Sequence, residues 1–185
     1  VEDVKPVLDD LLVRDFVIRE SRSSITGERA YRFKHVLIRD VAYATLPKTV
    51  RARKHAEVAT FIEERSPDRG EAVIAMVADH LGHAAAIGED SGLESDELEA
   101  IRGRAHEALE QAGDVAADLY SNQEALAHYE AALAIGGEDG GCPPDVRARI
   151  SEKLGDVALR LGRVDRAVEL WEECLAYHRG QEDLA

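Results

Sequence analysis

Asp79, His80 and His83 come closest to a chemical constellation in this sequence, because two imidazoles at i and i+3 of a helix can share one metal ion with a neighbouring carboxylate. No third ligand stands at close spacing, so no metal is expected. His35 and His55 read as structural residues, the first as a helix-start hydrogen bond and the second as a half-buried packing residue. A phosphate-binding loop needs an apolar strand, a Gly-rich turn and a Lys-Ser/Thr pair. The glycine tract at 136–141 has neither the strand nor the lysine. No Ser-His-acid, Cys-His or Gly-x-Ser-x-Gly arrangement occurs that would activate a nucleophile. Asp9-Asp10 and Glu172-Glu173 are acid pairs with no pocket implied around them. The expectation is a segment without catalytic residues, cofactor or metal, so the elements themselves must carry the function.

Those elements are organised around Tyr31 to Leu46. The stretch reads as the end of a strand running into a helix, with Ile38, Val41, Ala42, Thr45 and Leu46 on one face and Pro47 where the helix must stop. His35 stands where the helix would be capped. Upstream, Val4, Val7, Leu8, Leu11 and Leu12 form a helical stripe. Phe16–Arg19 and Arg29–Phe33 read as paired strands around a polar tip, 20–28. Helix, strand, long tip and strand make the back half of a winged helix spanning 1–47. The two front helices of such a module are not in the sequence, and Val1-Glu2-Asp3-Val4-Lys5 reads as a cut inside a longer protein. Downstream, Lys48–Arg65 carries His55, Val58, Ala59 and Ile62 on one face. Glu71–Ile87 carries Ile74, Val77, Ala78, Leu81 and Ala85, and Ser66 to Gly70 separates the two. Ser95 reads as the cap of the next helix.

The string Tyr31-x-Phe33-x-His35-x-Leu37-Ile38-Arg39-Asp40-Val41-Ala42-Tyr43, followed by a basic helix with Arg51, Arg53 and His55, resembles bacterial signal-transduction ATPases of the STAND type. In that family a nucleotide-switch core of AAA or NB-ARC kind precedes a winged helix and helical repeats, and a nucleotide-cyclase or DNA-binding domain often stands elsewhere in the chain. The resemblance implies that this winged helix packs on a nucleotide-switch core of a cytoplasmic parent protein. It also implies an interdomain relay through His35, Arg39, Asp40, Arg51, Arg53 and Lys54, the alternative being that Arg39-Asp40 is an adjacent pair pointing outward.

A repeat occupies the second half. Ala112-Gly113-Asp114-Val115-Ala116 aligns with Leu154-Gly155-Asp156-Val157-Ala158 at an offset of 42. At that offset Ala125 meets Ala167, Tyr129 meets Trp171, Ala132 meets Cys174 and Leu133 meets Leu175. A small Gly position on one helix, then Ala, a large aromatic and a small residue on the next, resembles the tetratricopeptide pattern. Small residues let helices approach, and the aromatic fills the groove between hairpins. The usual repeat is about 34 residues, and the glycine-rich run after Ile135 accounts for the extra length. Tyr120 departs from the pattern, which commonly has Gly there. The expected fold is therefore mainly α: two tetratricopeptide-like repeats (about 100–136 and 144–178) behind a helical hairpin in a unit spanning 48–185, fronted by a partial winged helix with one β-hairpin. Two repeats bury little core alone, so further repeats, or a dimer through the exposed face of the last helix, are expected.

Charge narrows the partners. The net charge is −14, which disfavours nucleic acid. Arg29 to Lys54 holds eight Lys/Arg and one acid, whereas His55 onward holds eleven Lys/Arg against twenty-nine Asp/Glu. The basic segment faces either phosphate or an acidic neighbour, or is a solvated face neutralised by the chain's own acids. A transcription regulator whose winged helix touches DNA is the alternative, and Glu2, Asp3, Asp9 and Asp10 on the helix that would enter the groove speak against it. No apolar run approaches membrane-spanning length. Two cysteines, Cys142 and Cys174, give no disulfide framework and point to a reducing cytoplasm. The function expected is non-catalytic: repeats that bind a protein or peptide, by preference a basic one, on their concave face and relay the event to a nucleotide-switch domain.

Overall fold

The computed structural model describes residues 4–23, 25, 27–66, 70–136 and 142–182. Among them are eight helices and one two-stranded antiparallel sheet, in the order α1 (Lys5–Val13), β1 (Val17–Arg19), β2 (Tyr31–Phe33), α2 (Val36–Ala44), α3 (Lys48–Arg65), α4 (Glu71–Glu89), α5 (Ser95–Asp118), α6 (Asn122–Ala134), α7 (Pro144–Arg160) and α8 (Val164–Glu182). The protein is mainly helical. Glu2, Asp3, the Pro67–Arg69 turn and residues 137–141 of the glycine-rich insertion lie outside the described residues.

From α3 onward each helix packs against the next. A continuous core runs through this array. It starts at Ala59 and Ile62 of α3 and passes Ile74, Val77, Ala78 and Leu81 of α4. It continues through Ala105 and Leu109 of α5 and Leu126 and Tyr129 of α6, to Ile150, Leu154 and Val157 of α7. The α4 stripe read from the sequence is buried at every position. Alanines fill the tightest places: Ala52, Ala59, Ala78, Ala84, Ala85, Ala105, Ala125, Ala132, Ala158 and Ala167 have no exposed surface. Such small side chains set helices close together.

The odd helices also meet one another through ion pairs. Arg53 of α3 reaches Glu97 of α5, Glu63 of α3 reaches Arg104 of α5, and Glu110 and Asp114 of α5 reach Arg149 and Lys153 of α7. This row runs along the face made by α3, α5 and α7.

The front module is built differently. Val17 pairs with Phe33 and Arg19 with Tyr31 across the hairpin, but neither α1 nor α2 buries a single residue. The stripe expected of α2 is not covered. Ile38 is half-buried, while Val41 is 66% exposed, and Ala42, Thr45 and Leu46 face solvent. The reason is that no described element lies across that face. Val4 and Val7 of the α1 stripe are likewise exposed. Within the polar tip, whose Ser24 and Thr26 lie outside the described residues, Ile25 packs against the array core and Glu28 pairs with Arg65 at the end of α3.

Two capping expectations are corrected. His35 holds the N-cap position of α2 through its backbone carbonyl, which accepts from the amides of Ile38 and Arg39, but its side chain makes no cap bond. Ser95 is the first helical residue of α5, and Glu94 occupies the cap.

Candidate interaction site

The repeat-signature residues meet across the hairpins. Gly113 of α5 lies flat against the Tyr129 ring of α6, and a Cβ there would stand 2.6 Å from Tyr129 Cδ1. Gly155 of α7 lies in the same way against Trp171 of α8, with a Cβ falling 2.8 Å from Trp171 Cδ1. No side chain larger than hydrogen fits at either place. Ala125, Ala132, Ala167 and Cys174 are buried beneath the same contacts, and the Cys174 thiol donates to the Ala148 carbonyl of α7. Tyr120 and Gly162 also correspond at the offset of 42. Both sit in the turn between paired helices with left-handed backbone, φ 58° and 75°. Tyr120 thus holds a conformation suited to glycine.

The residues expected to form a relay are not brought together. Arg39 pairs with its neighbour Asp40 on exposed α2 (2.7 Å). The Arg51 guanidinium lies over the Tyr43 ring, 5.0 Å from its centre. Arg53 makes a two-pronged bond to Glu97, both prongs 2.7 Å, and Lys54 turns back to Glu57. His35 is exposed. Lys48 reaches Asp90. Much of the basic segment is therefore met by the chain's own carboxylates.

The structure does assemble a cluster that local spacing hid. His55 of α3 stands between Tyr43 of α2 and His80 and His83 of α4. The Tyr43 hydroxyl is 2.9 Å from His55 Nε2, His55 Nδ1 is 3.0 Å from His80 Nδ1, and the His83 ring stacks on His55. Burial, followed by the His80 and His83 charges, pushes the His55 pKa down, with Asp79 opposing. Burial likewise lowers His80. His83 turns its Nδ1 to the Asp79 carbonyl at 2.8 Å. No three His, Cys, Asp or Glu groups among the described residues are placed to hold a metal ion. His55 lies twenty-five residues from His80, and only the α3–α4 packing joins them.

The ion-pair row supplies residues that the sequence reading missed. Glu110 is nearly buried and accepts from Arg149 and Lys153 (2.7–2.8 Å). The hydrogen bond from Arg149 holds its carboxyl below the ordinary range, against the opposing effect of burial. Lys153 also meets Asp114, which accepts from the Tyr129 hydroxyl at 2.7 Å. Burial and the Asp114 carboxylate push the Tyr129 phenol well up. A chain of charge thus ties the aromatic of one hairpin to the first helix of the next. The repeat offset was the only signal that could have singled out Asp114, because Asp156 repeats it.

Two grooves open on opposite layers of the array. On the odd-helix face a groove of about 460 Å³ lies between α3 and α5, with Phe61 and Ile101 as its apolar floor and Arg53, Glu57, Glu64 and Glu97 around it. On the even-helix side a groove of about 380 Å³ lies between α4 and α6, lined by Gly82, Ala86, Leu109, Ala131 and Ile135. Both thiols are buried and unbridged, and burial raises their pKa values, which makes them poor nucleophiles at neutral pH. Among the described residues, no helix is long and apolar enough to cross a membrane.

Compared with protein-family models and with curated proteins, the sequence matches none.

Proposed function

We propose that the chain is a non-catalytic protein-interaction segment: a tetratricopeptide-like array that takes a peptide or protein on its odd-helix face. The observation that carries this reading is the pairing of Gly113 with Tyr129 and of Gly155 with Trp171, two hairpins stitched by the same close contact at a fixed offset. In a tetratricopeptide superhelix the first helices of successive hairpins line the concave surface, which here corresponds to α3, α5 and α7. The groove between α3 and α5 has an apolar floor with carboxylates at Glu57 and Glu64, and it suits a segment that offers one apolar anchor between cations. On the resemblance stated above, the parent is a cytoplasmic signalling ATPase. The front module, whose apolar helix faces are uncovered, then packs on its nucleotide-switch core, and ligand binding biases that switch between two arrangements.

Panning random peptides against the chain tests the reading. Sequences with an apolar residue flanked by Lys or Arg are expected, and Phe61→Asp should abolish their binding. Peptides indifferent to Phe61→Asp and Ile101→Asp would overturn it.

A further inference from the structure

The α3–α5 groove does not end at Arg104. Ala100, Ile101 and Arg104 of α5 line the groove, and Arg104, Glu107 and Ala108 continue the same helical face into a second, smaller cavity. Val73, Val77 and Leu81 of α4 wall this cavity, whose volume is about 100 Å³. Arg104 is the partition: it lines both spaces and is held by Glu63 of α3 at 2.8 Å.

The chemistry of the small cavity selects its occupant. Its 100 Å³ falls well below the roughly 300 Å³ at which small-molecule sites begin, so it takes a single side chain. Val77, Leu81 and Ala108 are buried and give it an apolar bottom. Two carboxylates, Glu63 and Glu107, stand at its rim. Glu63 is engaged by Arg104, whereas Glu107 is exposed and makes no ion pair among the described residues. A lysine or arginine suits such a place, because its methylene stem packs on apolar walls while its charge stays at the rim. An acidic side chain would meet Glu107 with like charge.

The distance between the two spaces sets the register of the ligand. Ile101 and Ala108 lie two turns apart on α5, about 10.5 Å. Arg53–Glu97 and Arg104–Glu63 tie α3 to α5 at 2.7 and 2.8 Å, so a ligand helix about 10 Å across does not enter between them. An extended chain of polyproline type returns to the same side every third residue, after about 9 Å.

We infer, on the reading of the odd-helix face given above, that the ligand is an extended peptide with two anchors: an apolar residue over Phe61 and Ile101, and a lysine or arginine three residues away that enters the cavity beside Glu107.

The probes are short peptides of Ser, Gly and Pro with one Leu anchor, titrated into the full chain by calorimetry. A parent peptide carries Ala at every test position, and its variants carry one Lys two, three or four residues from the anchor on either side. Lys at the third position on one side should tighten binding about five- to tenfold over the parent, and Lys elsewhere less than about twofold. Glu107→Lys, at an exposed position, should remove that gain and leave the parent's affinity unchanged. The methyl resonances of Val77 and Leu81 should move with the third-position peptide and not with the parent. If the parent binds and Phe61→Asp abolishes that binding, yet Lys brings no gain at any position, the second anchor is overturned and the odd-helix reading stands. A gain that survives Glu107→Lys, that is equal at all positions, or that Leu at the third position exceeds, overturns the second anchor as well. Binding indifferent to Phe61→Asp, or no binding at about 1 mM peptide, overturns both.

Discussion

The front module and the helical array carry equally regular apolar stripes, yet only the array buries them. The α4 stripe becomes core, as do Ala59 and Ile62 of α3, because the next helix lies across them, whereas Val58 of the α3 stripe stays 38% exposed. The stripes of α1 and α2 have the same period but bury no residue fully, with Val7 58% and Val41 66% exposed. Amphipathicity therefore tells which face seeks a partner, whereas burial depends on whether the chain supplies one.

Truncation at matched positions breaks the comparison most sharply. Leu81→Ala and Ile150→Ala, at fully buried sites, should each cost about 2–5 kcal/mol in urea unfolding. Val7→Ala and Val41→Ala, at exposed stripe positions of α1 and α2, should stay within about 0.5 kcal/mol. A large cost at Val41 would mean that the α2 stripe is covered after all.

Next in size is Glu110. Glu110→Gln removes the carboxylate on which Arg149 and Lys153 converge and should cost about 1.5–3 kcal/mol. Because the folded pKa of Glu110 is lowered, the wild-type advantage is present above the ordinary glutamate value of 4.5 and is lost as pH falls through the lower folded value. The gap between wild type and Glu110→Gln, followed by denaturant midpoints, should accordingly be constant at neutral pH and close in acid.

Glycine replacements sharpen the contrast between stitched and open helix surface. Gly113→Ala and Gly155→Ala force a methyl group into an aromatic ring and should each cost about 1–3 kcal/mol. Gly103→Ala, on the same α5 with nothing near its Cβ, should instead stabilise by about 0.5–1 kcal/mol through helix propensity alone. Thermal melts of the three variants distinguish a packing role for the glycines from a merely permissive one. The smallest effect expected is at the turn. Tyr120 is 82% exposed with positive φ, as is its counterpart Gly162 in backbone. Tyr120→Gly should raise stability by about 0.5 kcal/mol.

Much of the helical order could be read from the sequence, because alternation of stripes and breakers is local. The stripe of Glu71–Ile87 was legible, and the offset of 42 matched Gly113 with Gly155 and Tyr129 with Trp171; that each glycine backs the aromatic of its own hairpin shows only in the contacts. Three things were not legible. The openness of the α2 face depends on an absent neighbour, which periodicity does not report. The His55–His80 contact and the Arg53–Glu97 pair join residues twenty-five and forty-four apart, and no local rule connects them. Arg39, Asp40, Arg51, Arg53 and Lys54 looked like one basic constellation along the chain. On the surface they part into separate pairs, because successive helical positions point in different directions.

The most direct test of the account is to map a bound peptide onto the two layers of the array. A peptide with one apolar residue between lysines, titrated into isotopically labelled protein, should shift the amide resonances of Thr60, Phe61, Ala100 and Ile101 on α3 and α5. The resonances of Ala86, Ala131 and Ala134 beside the other groove should stay in place. Shifts confined to α4 and α6, or spread evenly over both layers, would contradict the assignment of the odd-helix face as the binding surface.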